Sequence, residues 1–133
     1  MCCKNIRRYF LVVFFGLFMA ISANSAENIA SIAVAANNPE AEATISGKSG
    51  RAAYFLFFDN SGNFLDAEKN PFDGVPGGAG PKVAGFLSDK GVSLVVAGKF
   101  GTKMERALSS YKIKSISQTG VAHEVVQAIT QEK

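Results

Sequence analysis

The residues that most suggest chemistry lie at 46–51, which read SGKSGR. Gly47, Lys48 and Ser49 match the end of a phosphate-binding P-loop, whose lysine reaches the phosphates of a nucleotide. That motif also needs a glycine five residues before its Gly-Lys pair and a helix directly after its Ser/Thr. Here the glycine position holds Glu42, which would repel phosphate, and the residues after Ser49 are aromatic and strand-like. The segment is therefore not predicted to bind a nucleotide.

Side chains for catalysis are scarce in the rest of the chain. Both cysteines, Cys2 and Cys3, lie in an N-terminal leader, and His123 is the single histidine. No nucleophile–base set can be assembled from the remaining residues, so we predict that the protein is not an enzyme. His123 falls off the apolar face of a predicted C-terminal helix, where we expect it to be exposed. As a lone imidazole it is a weak candidate metal ligand, because metal sites gather several ligands.

Residues 1–26 have the features of an export signal peptide. Lys4, Arg7 and Arg8 precede a 13-residue apolar run at 9–21, and small residues around Ala26 fit a cleavage site. A membrane-spanning helix needs about 20 apolar residues. We therefore expect cleavage and no stable membrane anchor, with an uncleaved anchor as the alternative.

The export route has two readings. RRYFL at 7–11 resembles the twin-arginine signal of proteins that are exported already folded. Ile6 replaces the usual Ser/Thr and the apolar run is unusually hydrophobic, so the ordinary secretory route is favoured. Both routes predict an exported protein of the bacterial periplasm.

Removal of the leader leaves a domain with balanced charge. Of the 14 Lys and Arg residues, three lie in the leader, and the remaining 11 are balanced in number by 11 Asp and Glu residues. Because nucleic-acid-binding domains normally carry a basic face, we predict no nucleic-acid partner. With both cysteines in the leader, the mature chain has no disulfide and no cysteine metal ligand.

Residues 27–133 predict a single α/β domain. Apolar runs at 30–36, 52–59 and 92–98 are typical of buried strands. The run at 52–59, with phenylalanines on both faces, forms a hairpin with 64–70, and 112–117 is a weaker strand near an edge. With the predicted helices between them, these strands give the order strand, hairpin, helix, strand, helix, strand, helix. That order predicts a mixed five-stranded sheet, an antiparallel hairpin followed by parallel βα units, covered by about three helices.

Each predicted helix has recognisable ends or an apolar face. The first begins with Pro81 as its first residue and stops at Gly91. The second is capped by Thr102, with Glu105 at capping-box spacing, and runs through Tyr111. The third has one apolar face, formed by Ala122, Val125, Val126 and Ile129.

Five stretches stand out once these elements are in place: IAVAANN, ISGKSGRAAYFLFFD, GGAGPKVAGFLSDKGVSLVVAG, GKFGTKMERAL and TGVAHEVVQAI. On these stretches the chain resembles the dinitrogenase iron–molybdenum cofactor biosynthesis family. The resemblance covers nearly all of residues 28–130, with the elements in the family's order. The resemblance implies a ribonuclease-H-like fold without nuclease chemistry. It also implies that the protein holds or carries an iron–sulfur-type cluster, in some members as part of nitrogenase cofactor assembly.

Lys48 is the main departure from the family pattern. The family's loop often reads Ser-Gly-His-Phe-Gly-Arg-Ala, and its histidine is the usual candidate cluster ligand. In this chain Lys48 stands at the histidine position and Ser49 at the phenylalanine. A lysine ammonium donates hydrogen bonds but offers no lone pair to a metal. Lys48 therefore suits an anionic cluster or an oxyanion, held by charge and hydrogen bonds.

The predicted site combines three loops at one end of the sheet, because ligands of open α/β sheets bind beyond the carboxyl ends of the strands. Glycine N–H groups and helix N-termini would receive an anion, and lysine and arginine would add charge. Thr102 is favoured as a helix cap over a ligand contact. The predicted binding residues are Asn37, Lys48, Ser49, Arg51, Gly77, Gly78, Gly80, Lys99, Gly101 and Thr102.

The expected ligand is an iron–sulfur or iron–molybdenum-type cluster, or a related small anion. Two alternatives stay open at this point. One is a binder of a small metallate oxyanion. The other is an interaction module that has kept the fold, lost the cluster and contacts an exported protein partner.

Overall fold

Five strands and three helices form the part of the chain that the structure, a computed structural model, describes, which is residues 30–132. The predicted leader at 1–26 lies outside these residues. The strands are β1 (Ile32–Ala36), β2 (Tyr54–Phe58), β3 (Phe64–Lys69), β4 (Leu94–Ala97) and β5 (Lys114–Ser117). The helices are α1 (Ala79–Asp89), α2 (Thr102–Ser110) and α3 (Ala122–Gln131). Within 30–132, no helix is long and apolar enough to cross a membrane.

The strands form one mixed sheet in the order β3-β2-β1-β4-β5. The hairpin strands β2 and β3 pair antiparallel with each other, and β2 pairs antiparallel with β1. The remaining pairs, β1 with β4 and β4 with β5, are parallel. This arrangement confirms the predicted mixed sheet, and β5 lies at an edge as expected. The carboxyl ends of β1 and β4 consequently meet at one end of the sheet.

Helices cover both faces of the sheet. Phe55 and Phe57 belong to the core on the side of α1 and α2, together with Val83 and Leu87. Phe58 packs on the opposite face in the core that α3 completes. The three phenylalanines thus fill both sides of β2, as predicted from their positions in an apolar strand.

The starts of α1 and α2 differ from the sequence prediction. Helix α1 begins at Ala79, with Gly78 as its N-cap in the left-handed region (φ 71°), so Pro81 is its third residue rather than its first. Proline is tolerated there because first-turn N–H groups have no acceptor within the helix. Gly101, with extended backbone, is the N-cap of α2, so the assignment of Thr102 to that role is wrong.

The ends of α1 and α2 follow the predicted signals closely. Gly91, just past α1, has φ 82° and donates its N–H to the Ser88 carbonyl, as a helix-terminating glycine does. Helix α2 ends one residue earlier than predicted, at Ser110, and Tyr111 is its C-cap. The stop of α1 is therefore confirmed, and that of α2 shifts by one residue.

The turn between β2 and β3 is organised by the carboxylate of Asp59. Its Oδ1 accepts hydrogen bonds from the N–H groups of Ser61 and Asn63, both at 2.9 Å, and its Oδ2 accepts one from the Asn63 amide at 3.0 Å. These bonds, that from the Asn63 N–H foremost, lower the pKa of Asp59 below its usual 3.8. Folding therefore stabilises the ionised form of Asp59 relative to the protonated form.

We expect the Asp59→Asn variant to have a smaller free energy of unfolding than the wild type at neutral pH. Because folding lowers this pKa, the carboxylate stabilises the fold fully above the unfolded-state pKa. The contribution disappears as the pH falls through the lower, folded-state pKa. Urea denaturation across pH 2–7 should show that the difference in the free energy of unfolding between the variant and the wild type becomes smaller below about pH 4. A difference that stays constant over this range would contradict the role of the charge.

Candidate anion-binding site

The SGKSGR segment lies across the carboxyl ends of β1 and β4. The Ser46 N–H donates to the Ala35 carbonyl, and the Gly98 N–H donates to the Ser46 carbonyl, both at 2.8 Å. The Ser46 hydroxyl accepts a hydrogen bond from the Lys48 N–H at 3.1 Å. These three bonds fix the backbone of the loop, and the Lys48 side chain is exposed above it.

Close backbone contacts join this loop to the two helices at the same end of the sheet. A Cβ atom on Gly98 would lie 2.9 Å from the Gly47 Cα. A Cβ on Gly50 would lie 3.2 Å from the Gly80 Cα, and one on Gly80 would lie 3.2 Å from the Met104 Cα. Only glycine permits approaches this close without displacing a neighbouring backbone. The loop, the start of α1 and the first turn of α2 are therefore in continuous contact.

A hollow of about 380 Å³ opens between these segments. Its lining consists of 47–51, 78–81, Lys99, Gly101, Lys103 and Met104. All three loops that were predicted to lie at this end of the sheet therefore contribute to one concave surface. A volume of this size is within the range of small-ligand sites.

The hollow gathers seven of the ten predicted site residues. These are Lys48, Ser49, Arg51, Gly78, Gly80, Lys99 and Gly101. Asn37 is outside the lining, because the chain after β1 turns away and the Asn37 N–H donates to the Thr44 carbonyl. Gly77 and Thr102 are exposed neighbours of lining residues. The prediction missed Lys103, although a fourth basic residue directly after the predicted site residue Thr102 was a usable signal.

The hollow is cationic although the predicted mature chain is neutral. Four exposed basic side chains, Lys48, Arg51, Lys99 and Lys103, belong to its lining, which includes no Asp or Glu among the described residues. Within 30–132 the one ion pair joins Lys90 to Glu68 at 2.7 Å and involves none of these four. Their charges therefore add up at one end of the molecule and favour an anion there.

Two helix N-termini open toward the same hollow. Gly78 and Gly101 are the N-caps of α1 and α2, and in the described chain neither helix start has a side-chain capping hydrogen bond. The first N–H groups of a helix have no acceptor within it, and they carry the positive end of its dipole. Together with the four cations, they make the hollow a surface of hydrogen-bond donors.

Direct metal ligation is a poor fit to this lining. Among the described residues it contains no Cys, His, Asp or Glu, and the Met104 side chain is buried in the core against α1. No group of three or more such residues that could hold a metal ion occurs elsewhere in 30–132. The side chains of this lining suit an anion better than a bare metal ion.

His123 lies on α3, away from the hollow. Its ring stacks on that of Phe58, with centroids 6.5 Å apart and an angle of 22° between planes, and its Nε2 is 3.3 Å from the Gln127 amide nitrogen. The expectation of an exposed histidine is therefore wrong. The side chain is half-buried, because it packs on the aromatic end of β2.

Asn70, which is not among the predicted site residues, is hydrogen-bonded to the end of the cationic loop, the SGKSGR segment at 46–51. Its side chain is 1% exposed, and its Nδ2 donates to the carbonyls of Gly50 and Ala52 at 3.0 and 2.9 Å. Its Oδ1 accepts the N–H of Phe72 at 2.9 Å. One buried amide thus joins the end of the cationic loop to the start of the glycine-rich loop at 71–78. The available signal was an asparagine directly before a proline at the end of a strand.

Comparison with known proteins identifies the family. The sequence model of the family described as "Dinitrogenase iron-molybdenum cofactor" matches residues 29–132. The chain belongs to this family. Among curated proteins, none matches the chain significantly.

Three solved structures are similar to that of this family member. The apo form of the orange protein (ORP) from Desulfovibrio gigas is 25% identical with a TM-score of 0.69, covering 78% of this chain and 89% of that one. The NMR structure of TM1290, a NifB-like protein of the DUF35 family from Thermotoga, is 27% identical with a TM-score of 0.65, covering 77% and 88%. The crystal structure of PH0822, at 21% identity and a TM-score of 0.63, covers 77% and 91% and shares the fold.

Proposed function

We propose that this family member is a binding protein that holds an anionic metal–sulfur cluster in the hollow without ligating its metals. The observation that carries the proposal is the convergence of four basic side chains and two glycine-capped helix N-termini on one surface with no carboxylate in its described lining. Such a surface is complementary to an anion, because all its charged side chains are cations and the helix N-termini add N–H donors. The family membership directs the choice of anion toward a metal cluster.

Non-covalent binding follows from the residue types. A cluster that enters this hollow must bring all its own ligands, since lysine and arginine supply charge and N–H donors only. Sulfido or oxo atoms at the surface of a cluster are hydrogen-bond acceptors that fit these donors. We therefore regard the cluster as cargo that the protein receives and releases intact.

A small metallate oxyanion is the second candidate. It is favoured by the replacement of the family's histidine by Lys48, which puts a cation in place of a metal-ligating side chain. A tetrahedral dianion such as molybdate is also small enough for the hollow. The two candidates differ in whether the site prefers soft sulfido atoms or hard oxo atoms.

Three tetrahedral dianions distinguish these possibilities by isothermal titration calorimetry. We expect tetrathiomolybdate, as a fragment of a metal–sulfur cluster, to bind more tightly than molybdate, and sulfate to bind weakest. A preference for molybdate would favour the oxyanion function. Equal binding of all three would indicate charge attraction without a specific site. Binding of none would reject both ligand functions and favour an interaction module.

We expect Lys48→Ala to weaken tetrathiomolybdate binding about tenfold, because a unit charge near a protein surface contributes ~1–4 kcal/mol to its interaction with an adjacent anion. The affinity of this variant should also fall less steeply with added salt, since one screened interaction has been removed. Lys114→Ala is the matched control, because Lys114 begins β5 at the opposite end of the sheet. Equal affinities for the two variants would place the ligand elsewhere.

A further inference from the structure

Arg51 contacts two parts of the site at once. Its side chain belongs to the lining of the hollow, and its Nη1 donates to the backbone carbonyls of Asp73 and Val75 at 3.2 and 2.7 Å. Those carbonyls lie in the middle of the glycine-rich loop at 71–78. The guanidinium therefore spans the gap between the cationic loop and the glycine-rich loop.

The glycine-rich loop has little intrinsic order of its own. Five of its eight residues are Gly or Pro, and a Cβ on Gly74, Gly77 or Gly78 would meet no described atom within 4 Å. Glycine loses more conformational freedom on folding than any other residue, so such a loop needs external contacts to hold one conformation. Asn70 fixes the loop where it begins, through the N–H of Phe72. Arg51 fixes its middle.

The far end of this loop is part of the hollow itself. Gly78 is the left-handed N-cap of α1, and Ala79 and Gly80 follow it in the lining. The direction of the first N–H groups of α1 therefore depends on how the loop delivers the chain into the helix. A contact that holds 73 and 75 in place also holds these donors toward the hollow.

We propose that Arg51 is a positioning residue of the anion site, which orients the N–H donors of α1 by clamping the glycine-rich loop; this inference rests on the proposed function. Arginine is suited to this role because its planar guanidinium has five N–H donors in a fixed geometry. Nη1 is used on the loop, and the same rigid group presents its charge to the hollow. Lysine would keep the charge but has a single nitrogen, so an ammonium held at both carbonyls has no further nitrogen to present to the hollow.

The Arg51→Lys variant separates clamping from charge. If Arg51 contributed charge alone, this variant would bind tetrathiomolybdate like the wild type. We expect about a five- to tenfold weaker affinity, because binding must then order the loop that arginine preorganises. The salt dependence of the affinity should stay that of the wild type, since the number of cations is unchanged. Arg106→Lys is the matched control, because Arg106 is exposed on α2 and outside the lining.

Backbone ¹⁵N order parameters of 74–80 supply a second readout that needs no ligand. We expect these values to fall from about 0.85, typical of rigid backbone, toward the ~0.6 of flexible segments in Arg51→Lys and to stay unchanged in Arg106→Lys. Unchanged order parameters or an unchanged affinity in Arg51→Lys would overturn the inference while leaving the proposed function intact. If the wild type binds none of the dianions, the proposed function fails and the positioning role fails with it. The order parameters then still show whether Arg51 clamps the loop.

Discussion

The Asn70→Ala variant is expected to unfold with a free energy about 3 kcal/mol smaller than that of the wild type. The substitution removes the partners of the carbonyls of Gly50 and Ala52 and of the N–H of Phe72 in one step. A buried polar group left without a partner costs ~1–3 kcal/mol, and small domains have only about 5–15 kcal/mol in total. Thermal unfolding followed by circular dichroism should show the midpoint falling by more than about 10 °C, since 1 kcal/mol corresponds to ~4–8 °C in a domain of this size.

A second asparagine provides the control for this loss. Asn60 is exposed in the turn between β2 and β3, and we expect Asn60→Ala to change the free energy of unfolding by less than about 0.5 kcal/mol. A midpoint for Asn70→Ala within ~2 °C of the wild type would mean that the three hydrogen bonds contribute little net free energy. The same variant should also bind tetrathiomolybdate more weakly, because both loops of the hollow lose a common support.

An aspartate at the same position tests the direction of these hydrogen bonds. In Asn70→Asp the acceptor for the Phe72 N–H is kept, but a carboxylate oxygen replaces the amide nitrogen beside two carbonyl oxygens. Burial and the repulsion between these oxygens favour the protonated carboxyl and raise its pKa in the folded state. A group whose pKa is raised by folding stabilises the fold at low pH and loses that contribution as the pH rises. Asn70→Asp should therefore recover part of its lost stability on acidification.

Local sequence patterns were sufficient for the fold because its elements are set by short-range signals. The apolar runs that became β1, β2 and β4 have a length and composition typical of buried strands. The hairpin before the βα units then left few arrangements for the sheet. The end of the sheet that holds the hollow follows from the same order, since parallel strands place their carboxyl ends together.

The details of the site depend on contacts between residues far apart in sequence. Asn70 bonds to carbonyls 18 and 20 residues before it, so no local pattern marks it as more than the end of a strand. Thr102 and Glu105 have the spacing of a capping box, yet the helix begins one residue too early for Thr102 to serve as its cap. That start also sets which residues of the first turn face the hollow, and so brings Lys103 into the lining. His123 is half-buried because Phe58, 65 residues earlier, lies under its ring.

Gly98→Ala is the second substitution for which we expect a large effect, with a loss of about 2–3 kcal/mol in the free energy of unfolding. The added methyl group would lie 2.9 Å from the Gly47 Cα and 3.1 Å from the Ser46 carbonyl oxygen. Both neighbours are backbone atoms, which cannot turn aside as the end of a side chain can, and overpacking of this kind costs ~1–3 kcal/mol. Moving the loop away would also stretch the 2.8 Å hydrogen bond from the Gly98 N–H to Ser46.

Gly101→Ala is the matched control, because it adds the same methyl group at the same rim. A Cβ there would meet no described atom within 4 Å, and the backbone has φ −79°, which alanine adopts readily. Because Gly101 is the N-cap of α2 and alanine is a poorer N-cap than glycine, we expect a loss of no more than about 1 kcal/mol, clearly smaller than that of Gly98→Ala. Chemical denaturation of both variants tests the close contact between Gly98 and Gly47. Tetrathiomolybdate titrations of the same variants test whether this contact supports anion binding in the hollow. If Gly98→Ala were as stable as Gly101→Ala, the cationic loop would not rest on the end of β4, and Lys48 would lack the support that brings its charge to the hollow.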